Sequence, residues 1–305
     1  MIHIDLHTHS CYSGDGEIPP ARLVEMANRR GISHLSVADH NRAIGVREAI
    51  AAAENTPVTI IPAIELDCAY KDVCLHVLGY FIDHMDPAYD ALWSETRKRG
   101  LELNIRKIES ALALGYKMDP EEVMKAAVDG VLSDVAVAEA VLSDPRNLSH
   151  PDLLPYRPGG EKSRDPMVRF AWDVMSRGGP AYVPDGSPSL AAGLDLILST
   201  GGTPVLAHPG ANLTGREHYL PDIVRAGVLG VEAYCNYHSP EQVRFWRQAA
   251  IDNNAIFTCG SDYHGKAKPS IDMGRHGAEG LEEQILNSIL DLKRRRSRRI
   301  AASMA

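Results

Sequence analysis

Along the chain, short apolar runs alternate with stretches whose apolar residues recur every three or four positions. The runs are IHIDLHTH, HLSVADH, VTIIPAIEL and VCLHVLGYF near the start, then TPVLAHPG, LGVEAYC and AIFTCGSDYHG toward the end. Between and after them lie PPARLVEMANRRG, AIGVREAIAAAEN, LAAGLDLILSTGG, LPDIVRAGV and SPEQVRFWRQAAIDN, which carry helical spacing. Strand, helix, strand in that order predicts βαβ units and parallel strands covered by helices. Gly31, Gly201 and Gly227 fall where these helices should end. Seven strand runs suit either a barrel or an open doubly wound sheet, and the placement of polar residues favours the barrel.

From about Asp83 to Pro184 the grammar changes. Helical patterns over 88–115, 119–142 and 166–177 surround the Pro- and Gly-rich stretch DPRNLSHPDLLPYRPGGEKSRDP. The expected organisation is therefore a discontinuous barrel, residues 1–83 and 185–290, with a mainly helical cap, 84–184, inserted in it. A basic tail, 291–305, is expected to be a solvated terminus.

Composition narrows the class. With 305 residues, 44% hydrophobic and 24% charged, the chain can bury a large core, which excludes collagen-like, disordered and disulfide-scaffold proteins. No apolar run reaches the roughly 18–20 residues of a membrane span, and no basic-then-apolar leader opens the sequence. Five cysteines without a CxxC pair read as free thiols, and with these features predict a cytoplasmic protein. A formal charge of −8 argues against a long nucleic-acid partner, because such binding rests on Lys and Arg neutralising phosphates.

Polar residues gather where the strand runs stop. In IHIDLHTH, His7 and His9 alternate and so share a face, with Asp5 behind them. Asp39-His40 follows LSVA, Glu65 follows VTIIPAI, His76 lies inside VCLHVLGY, His208 follows PVLA, and Asp262 and His264 follow IFTCGS. Asp15 sits in a Gly-flanked loop. Parallel α/β folds build sites at the carboxyl ends of their strands, so six of the 13 histidines would converge on one mouth. Imidazole and carboxylate without thiolate suits zinc, manganese or iron. Nine candidate ligands exceed what one closed ion needs and point to two or three ions with a bridging carboxylate, the arrangement that serves phosphate ester hydrolysis.

The set DLHTHS…D, ADH, AIE, HVLGY, AHPG and GSDYHG resembles the PHP (polymerase and histidinol phosphatase) family, in particular its stand-alone metal-dependent phosphoesterases. The resemblance implies a distorted (β/α)7 barrel. It implies a first ion held by His7, His9, Glu65 and Asp262, and a second by Glu65, His76 and His208. A third would be held by Asp15, His40 and His264. It implies a small phosphorylated substrate, a nucleoside 3′,5′-bisphosphate or short 5′-phosphorylated RNA, or a non-nucleotide such as histidinol phosphate. A hydroxide between the metals held through Glu65 would attack phosphorus in line, with Asp262 among the catalytic ligands. The leaving group would take its proton from His208, His238 or a metal-bound water.

Further contacts are expected around that centre. Arg97 and Arg106 share the first cap helix but fall on opposite faces, and Arg106 is the candidate substrate cation. His238, in CNYHSPEQ, either touches the substrate or neighbours the cap of the helix beginning at Ser239-Pro240. Glu232 is expected to orient a ligand. The cap reads Val131-Leu132-Ser133-Asp134-Val135 where the relatives carry a basic and histidine cluster. Two other classes compete with this reading. An amidohydrolase-type carbonyl hydrolase also uses HxH but commonly bridges its metals with a modified strand lysine, and none of the seven runs contains a lysine. A non-catalytic metal-binding domain would have lost ligands, and none is lost.

Overall fold

The computed structural model describes residues 2–184 and 186–304, with side chains through residue 298. Among these residues eight strands are formed: β1 (Ile4–Thr8), β2 (His34–Val37), β3 (Thr59–Ile60), β4 (Ala63–Tyr70), β5 (Val73–Tyr80), β6 (Thr203–Leu206), β7 (Gly230–Tyr234) and β8 (Ile256–Cys259). They make two sheets, β1-β2-β3 and β4-β5-β6-β7-β8. VTIIPAIEL, read as one strand, is two: Pro62, which has no N–H to donate, falls between β3 and β4. The expected run of parallel strands is also interrupted. β5 pairs antiparallel with both β4 and β6, whereas β1-β2-β3 and β6-β7-β8 are parallel. The β4–β5 hairpin turns through Lys71, whose φ of 47° lies in the left-handed region.

The two sheets meet at both edges through isolated hydrogen bonds. On one side Asp262 N–H donates to His7 O (2.8 Å) and His9 N–H to Tyr263 O (2.9 Å). On the other, Asn41 N–H donates to Glu65 O (2.8 Å) and Glu65 N–H to Asp39 O (3.2 Å). Among the described residues the ladder is therefore discontinuous: the fold is α/β with two abutting sheets, and no closed barrel is formed. Every one of these edge contacts lies at a candidate ligand or its neighbour.

Helices α1 (Pro20–Arg29) and α2 (Ile44–Ala53) cover the first sheet, burying Leu23, Val24, Ala27 and Ala49 against Leu35 and Val37. Gly31, Gly201 and Gly227 adopt φ of 71°, 79° and 129°, the conformation that stops a helix. The helical layer comprises α3 (Pro87–Ala113), α4 (Pro120–Met124), α5 (Asp134–Ser143) and α6 (Pro166–Phe170), the last continuing as a π-helical turn through Met175. The helix expected over 119–142 is broken, because Val128 and Val131 pair across a tight turn at Asp129-Gly130. These helices enclose their own apolar cluster, which includes Ile108, Tyr116, Leu132, Val137 and Phe170. The layer is tied to the sheets where Ser133 Oγ donates to Gly14 O (3.0 Å) and Ser270 Oγ to Asp165 Oδ2 (2.5 Å).

Helices α7 (Leu190–Ser199), α8 (Pro209–Asn212), α9 (Leu220–Ala226) and α10 (Pro240–Asp252) return to the second sheet, α10 opening with a Ser239–Gln242 capping box. The last helix, α11 (Glu282–Met304), carries most of the basic tail in helical form, while Ala305 lies outside the described residues. Among the described residues no helix is long and apolar enough to cross a membrane.

Candidate metal centre

The nine candidate ligands converge. His7 and His9 leave β1 on one face, and their Nε2 atoms stand 3.0 Å apart. Around them Glu65 Oε2 lies 3.2 Å from His7 Nε2 and 3.0 Å from His9 Nε2, with Asp262 Oδ1 at 3.4 Å and 3.1 Å. The other oxygen of Glu65, Oε1, faces His208 Nε2 (3.0 Å) and His76 Nδ1 (3.1 Å). A third group is formed by Asp15 Oδ2, 3.1 Å from His264 Nε2 and 3.7 Å from His40 Nε2, with His9 alongside. Glu65 thus reaches two clusters with its two oxygens, and His9 touches two as well.

These separations suit shared ions as well as hydrogen bonds. A cation with ligands at ~2.1 Å has donor atoms about 3.0–3.4 Å apart, from octahedral to tetrahedral geometry. Several of the converging atoms, Glu65 Oε2, Asp262 Oδ1, His264 Nε2 and His40 Nδ1, are buried and lack a hydrogen-bond partner. Burying unpaired carboxylate and imidazole atoms costs several kcal/mol in total, so such a set is found where an ion completes it.

The rings are also oriented for it. His7 Nδ1 donates to Glu232 Oε1 (3.0 Å), His9 Nδ1 lies 2.7 Å from Ser13 Oγ, and His264 Nδ1 donates to Asp262 O (2.9 Å). The bonds of His7 and His264, made to pure acceptors, place the ring proton outside the cluster and turn the Nε2 lone pair inward. Glu232 also accepts the His208 backbone N–H (2.9 Å), so the expectation that it orients a ligand corresponds to two contacts. Gly260 is required here: a Cβ would lie 2.3 Å from His7 Cβ and 2.7 Å from Glu232 Oε1. His208 and Asp262 both hold positive φ, 21° and 56°, strain that surrounding bonds must maintain.

The field in the centre is negative. Burial works against ionising His40, yet Glu65, Asp67 and Asp15 push its pKa up to about 10. Burial also penalises the Glu65 carboxylate, but His7, His40, His76 and His208 hold it well below the usual range. In His9, burial and the neighbouring His264 lower the pKa to about 4, which keeps its lone pair available.

Some expectations are corrected. Arg106 is exposed on α3 and does not line the cavity beside the centre; Arg99 and Lys107 of the same helix do. Arg97 donates instead to Asp129 O (3.0 Å). Both ring nitrogens of His238, expected either at the substrate or beside a helix cap, are engaged by backbone: Nδ1 donates to Ala233 O (2.8 Å) and Nε2 accepts from Gly210 N–H (2.8 Å). His238 locks the loop after β7 to the one after β6. Asp39, adjacent to a ligand in sequence, turns away and accepts from Ser10 N–H (2.6 Å) and Oγ–H (2.8 Å).

Other residues of the centre were not singled out. Asp67 Oδ1 lies 3.2 Å from His40 Nδ1 and 3.4 Å from His76 Nε2. It sits two residues after Glu65 on β4, the same alternation that exposed His7 and His9. Ser13 joins His9 to the His40 backbone N–H (3.0 Å). A cavity of about 350 Å³ opens from Asp15, His40, Asp67 and His76 toward the helical layer, and Trp93, Arg99, Trp172, Arg177 and Tyr182 line it. The Val131–Val135 stretch lines it too.

Residues 5–139 match the family model of the PHP domain. The 3′,5′-nucleoside bisphosphate phosphatase of Chromobacterium violaceum is 26% identical over 277 residues, 90% of this chain and 91% of its own. The phosphoribosyl 1,2-cyclic phosphate 1,2-diphosphodiesterase of Eggerthella lenta is 26% identical over 269 residues, 86% of this chain and 94% of its own. A solved Bifidobacterium adolescentis protein, described at the level of a metal-dependent phosphoesterase, shares the fold with a TM-score of 0.73 and 23% identity, over 95% of this chain and 96% of its own. The chain is thus similar to PHP-domain phosphoesterases, and the PHP match runs from Asp5 into α5, covering the candidate ligands His7, His9, Asp15, His40, Glu65 and His76.

Proposed function

We propose that the protein hydrolyses a small phosphate monoester, a nucleotide, at a centre of two or three divalent ions set in the mouth of a distorted barrel. The observation that carries this reading is Glu65, whose two oxygens face different histidine pairs at 3.0–3.2 Å. His7, His9, Glu65 and Asp262 would hold one ion, Glu65, His76 and His208 the second, and Asp15, His40 and His264 the third. Such ions, whether manganese, iron or zinc, supply Lewis-acid polarisation of the phosphoryl group and a nucleophilic water at neutral pH.

The chain's own residues supply the rest. Glu65 and Asp262 fix the spacing of the sites, and Glu232 and Ser13 fix the rings. Trp93 and Trp172 give the cavity flat apolar walls suited to a nucleobase, and Arg99 and Arg177 give it cations for the phosphate charge. They take the role expected of Arg106. With both nitrogens of His238 occupied, His208 is the side chain left among the proton donors considered for the leaving group.

Phosphate release with manganese against chelator tests the reading. The panel comprises a nucleoside 3′,5′-bisphosphate, 5′-mononucleotides, a 1,2-cyclic phosphate, short 5′-phosphorylated RNA, histidinol phosphate and phosphoserine. Metal-dependent turnover of the nucleotides at least tenfold above the others is expected. Preference for histidinol phosphate or phosphoserine would keep the centre and sink the nucleotide assignment, and no release from any ester would sink the phosphoesterase itself.

A further inference from the structure

One buried cation stands directly behind the centre. Lys268 follows the short helical turn Gly265–Ala267 and is only 4% exposed. Its Nζ donates to Asp262 Oδ2 at 2.7 Å, and among the described residues Asp262 is the one carboxylate within ion-pair reach of it. The same oxygen accepts from the Tyr237 hydroxyl at 2.5 Å. The Lys268 ammonium also lies 5.2 Å from the Tyr237 ring centroid. Two donors therefore converge on Oδ2, while Oδ1 has no hydrogen-bond partner and faces His7, His9 and His264 at 3.1–3.4 Å.

Burying a lone ammonium is expensive, so a chain keeps one where a paired charge returns the cost. Here the return is directional. A carboxylate with both oxygens free can rotate about its Cβ–Cγ bond or present both atoms to a cation. With Oδ2 occupied by an ammonium and a hydroxyl, only Oδ1 is available, at one angle. The Tyr237 ring is itself held by edge contacts to Trp172 in the helical layer (4.8 Å) and to His208 (5.6 Å).

We propose that Lys268 is a positioning residue for the metal centre: with Tyr237 it occupies the outer oxygen of Asp262 and presents the inner one to the ion shared with His7 and His9. The inference rests on the metal-centre reading and is independent of the substrate.

A competing electrostatic role predicts the opposite sign, because deleting a buried cation beside a dication should tighten binding. The deciding measurement is manganese and zinc affinity, read by competition with a chromogenic chelator in the absence of substrate. The proteins compared are wild type, Lys268→Met, Lys268→Arg and Tyr237→Phe, with thermal unfolding of each chelated protein alongside. Lys268→Met is expected to weaken binding of one ion by about 10–100-fold. Lys268→Arg, which keeps a charged donor, is expected to stay within about threefold of wild type, and Tyr237→Phe to weaken binding by up to about tenfold. Equal or tighter binding by Lys268→Met would overturn the proposal. If that variant does not fold, unchanged affinity in Tyr237→Phe would do so. Wild-type protein that takes up no metal at all would overturn the metal-centre reading, and this inference with it.

Discussion

Among the described residues a second cluster of histidine and carboxylate lies apart from the metal centre, and the two treat their nitrogens in opposite ways. In the centre, His7, His9 and His264 spend Nδ1 on Glu232, Ser13 and a carbonyl; Nε2 of His7 and His9 faces the unpaired Glu65 Oε2 and Asp262 Oδ1, and Nε2 of His264 is itself unpaired. In the second, at the start of β1, His3 Nδ1 lies 2.5 Å from Glu282 Oε1, which also accepts from Ile4 N–H. His276 there uses both nitrogens on backbone: Nε2 donates to Ile4 O (2.8 Å) and Nδ1 accepts from Ala278 N–H (3.2 Å). The ligand atoms of His3, His276 and Glu282, like those of each group in the centre, lie within 4.8 Å of one another. Proximity of ligand-type residues is therefore common to both. What separates an ion site from a staple is the atoms left unsatisfied.

The sharpest way to break this comparison is Glu65→Gln. The amide has one acceptor oxygen and an NH2 that repels cations, so it cannot serve both histidine pairs. Turnover with added manganese is expected to fall by about three orders of magnitude, and metal content by at least one ion per chain. Phosphate release and elemental analysis check this. A variant that keeps its ions and most of its activity would show that the contacts of Glu65 are ordinary hydrogen bonds.

His276→Leu probes the other cluster, with the expected effects reversed. Metal content should be unchanged and stability should drop by about 1–3 kcal/mol, since the Ile4 carbonyl and Ala278 N–H lose their partner in a buried place. Chemical denaturation of the chelated protein gives the stability and elemental analysis the metal. Loss of an ion from this variant would mean that the second cluster binds metal after all.

The centre was legible in the sequence because most of its ligands stand at or just past the end of an apolar run, a pattern that survives without knowing how the strands pair; His76, inside β5, and Asp15, in a loop, do not follow it. Strand direction was not legible. An apolar run reads alike in both senses, so the antiparallel placement of β5 and the split at Pro62 emerge only with the chain folded. The helical layer was harder still. The inward stripe of α3 contains Gly100, Asn104, Ile108 and Ala111, only two of them apolar enough to mark a face. Asn104 is there because its amide bridges Gly130 O and Leu132 N–H at 2.9 Å each. Arg106, two residues on, lies about 200° around the helix from it, which turns it to solvent. Lys268 carried no signal at all: a lysine in a glycine-rich loop reads as solvated, and only its burial against Asp262 shows otherwise.

The smallest effect concerns His238, which the sequence grouped with the reactive histidines and the geometry groups with the staples. Burial lowers its pKa, and the Ala233 carbonyl and Glu232 offset this only in part. The neutral ring accepts the Gly210 N–H, and protonating Nε2 would remove that acceptor. Because the folded-state pKa is depressed, the stabilisation is complete above the ordinary histidine value of about 6.5 and is lost as pH falls through the folded value. His238→Gln can satisfy the same two backbone groups without titrating. Between pH 7 and pH 5 the melting temperature of chelated wild type should therefore fall a few degrees further than that of the variant. Parallel curves would show that His238 carries no proton-linked stability. A loss of turnover at pH 7 beyond about tenfold in His238→Gln, with metal retained, would return this residue to the reactive class.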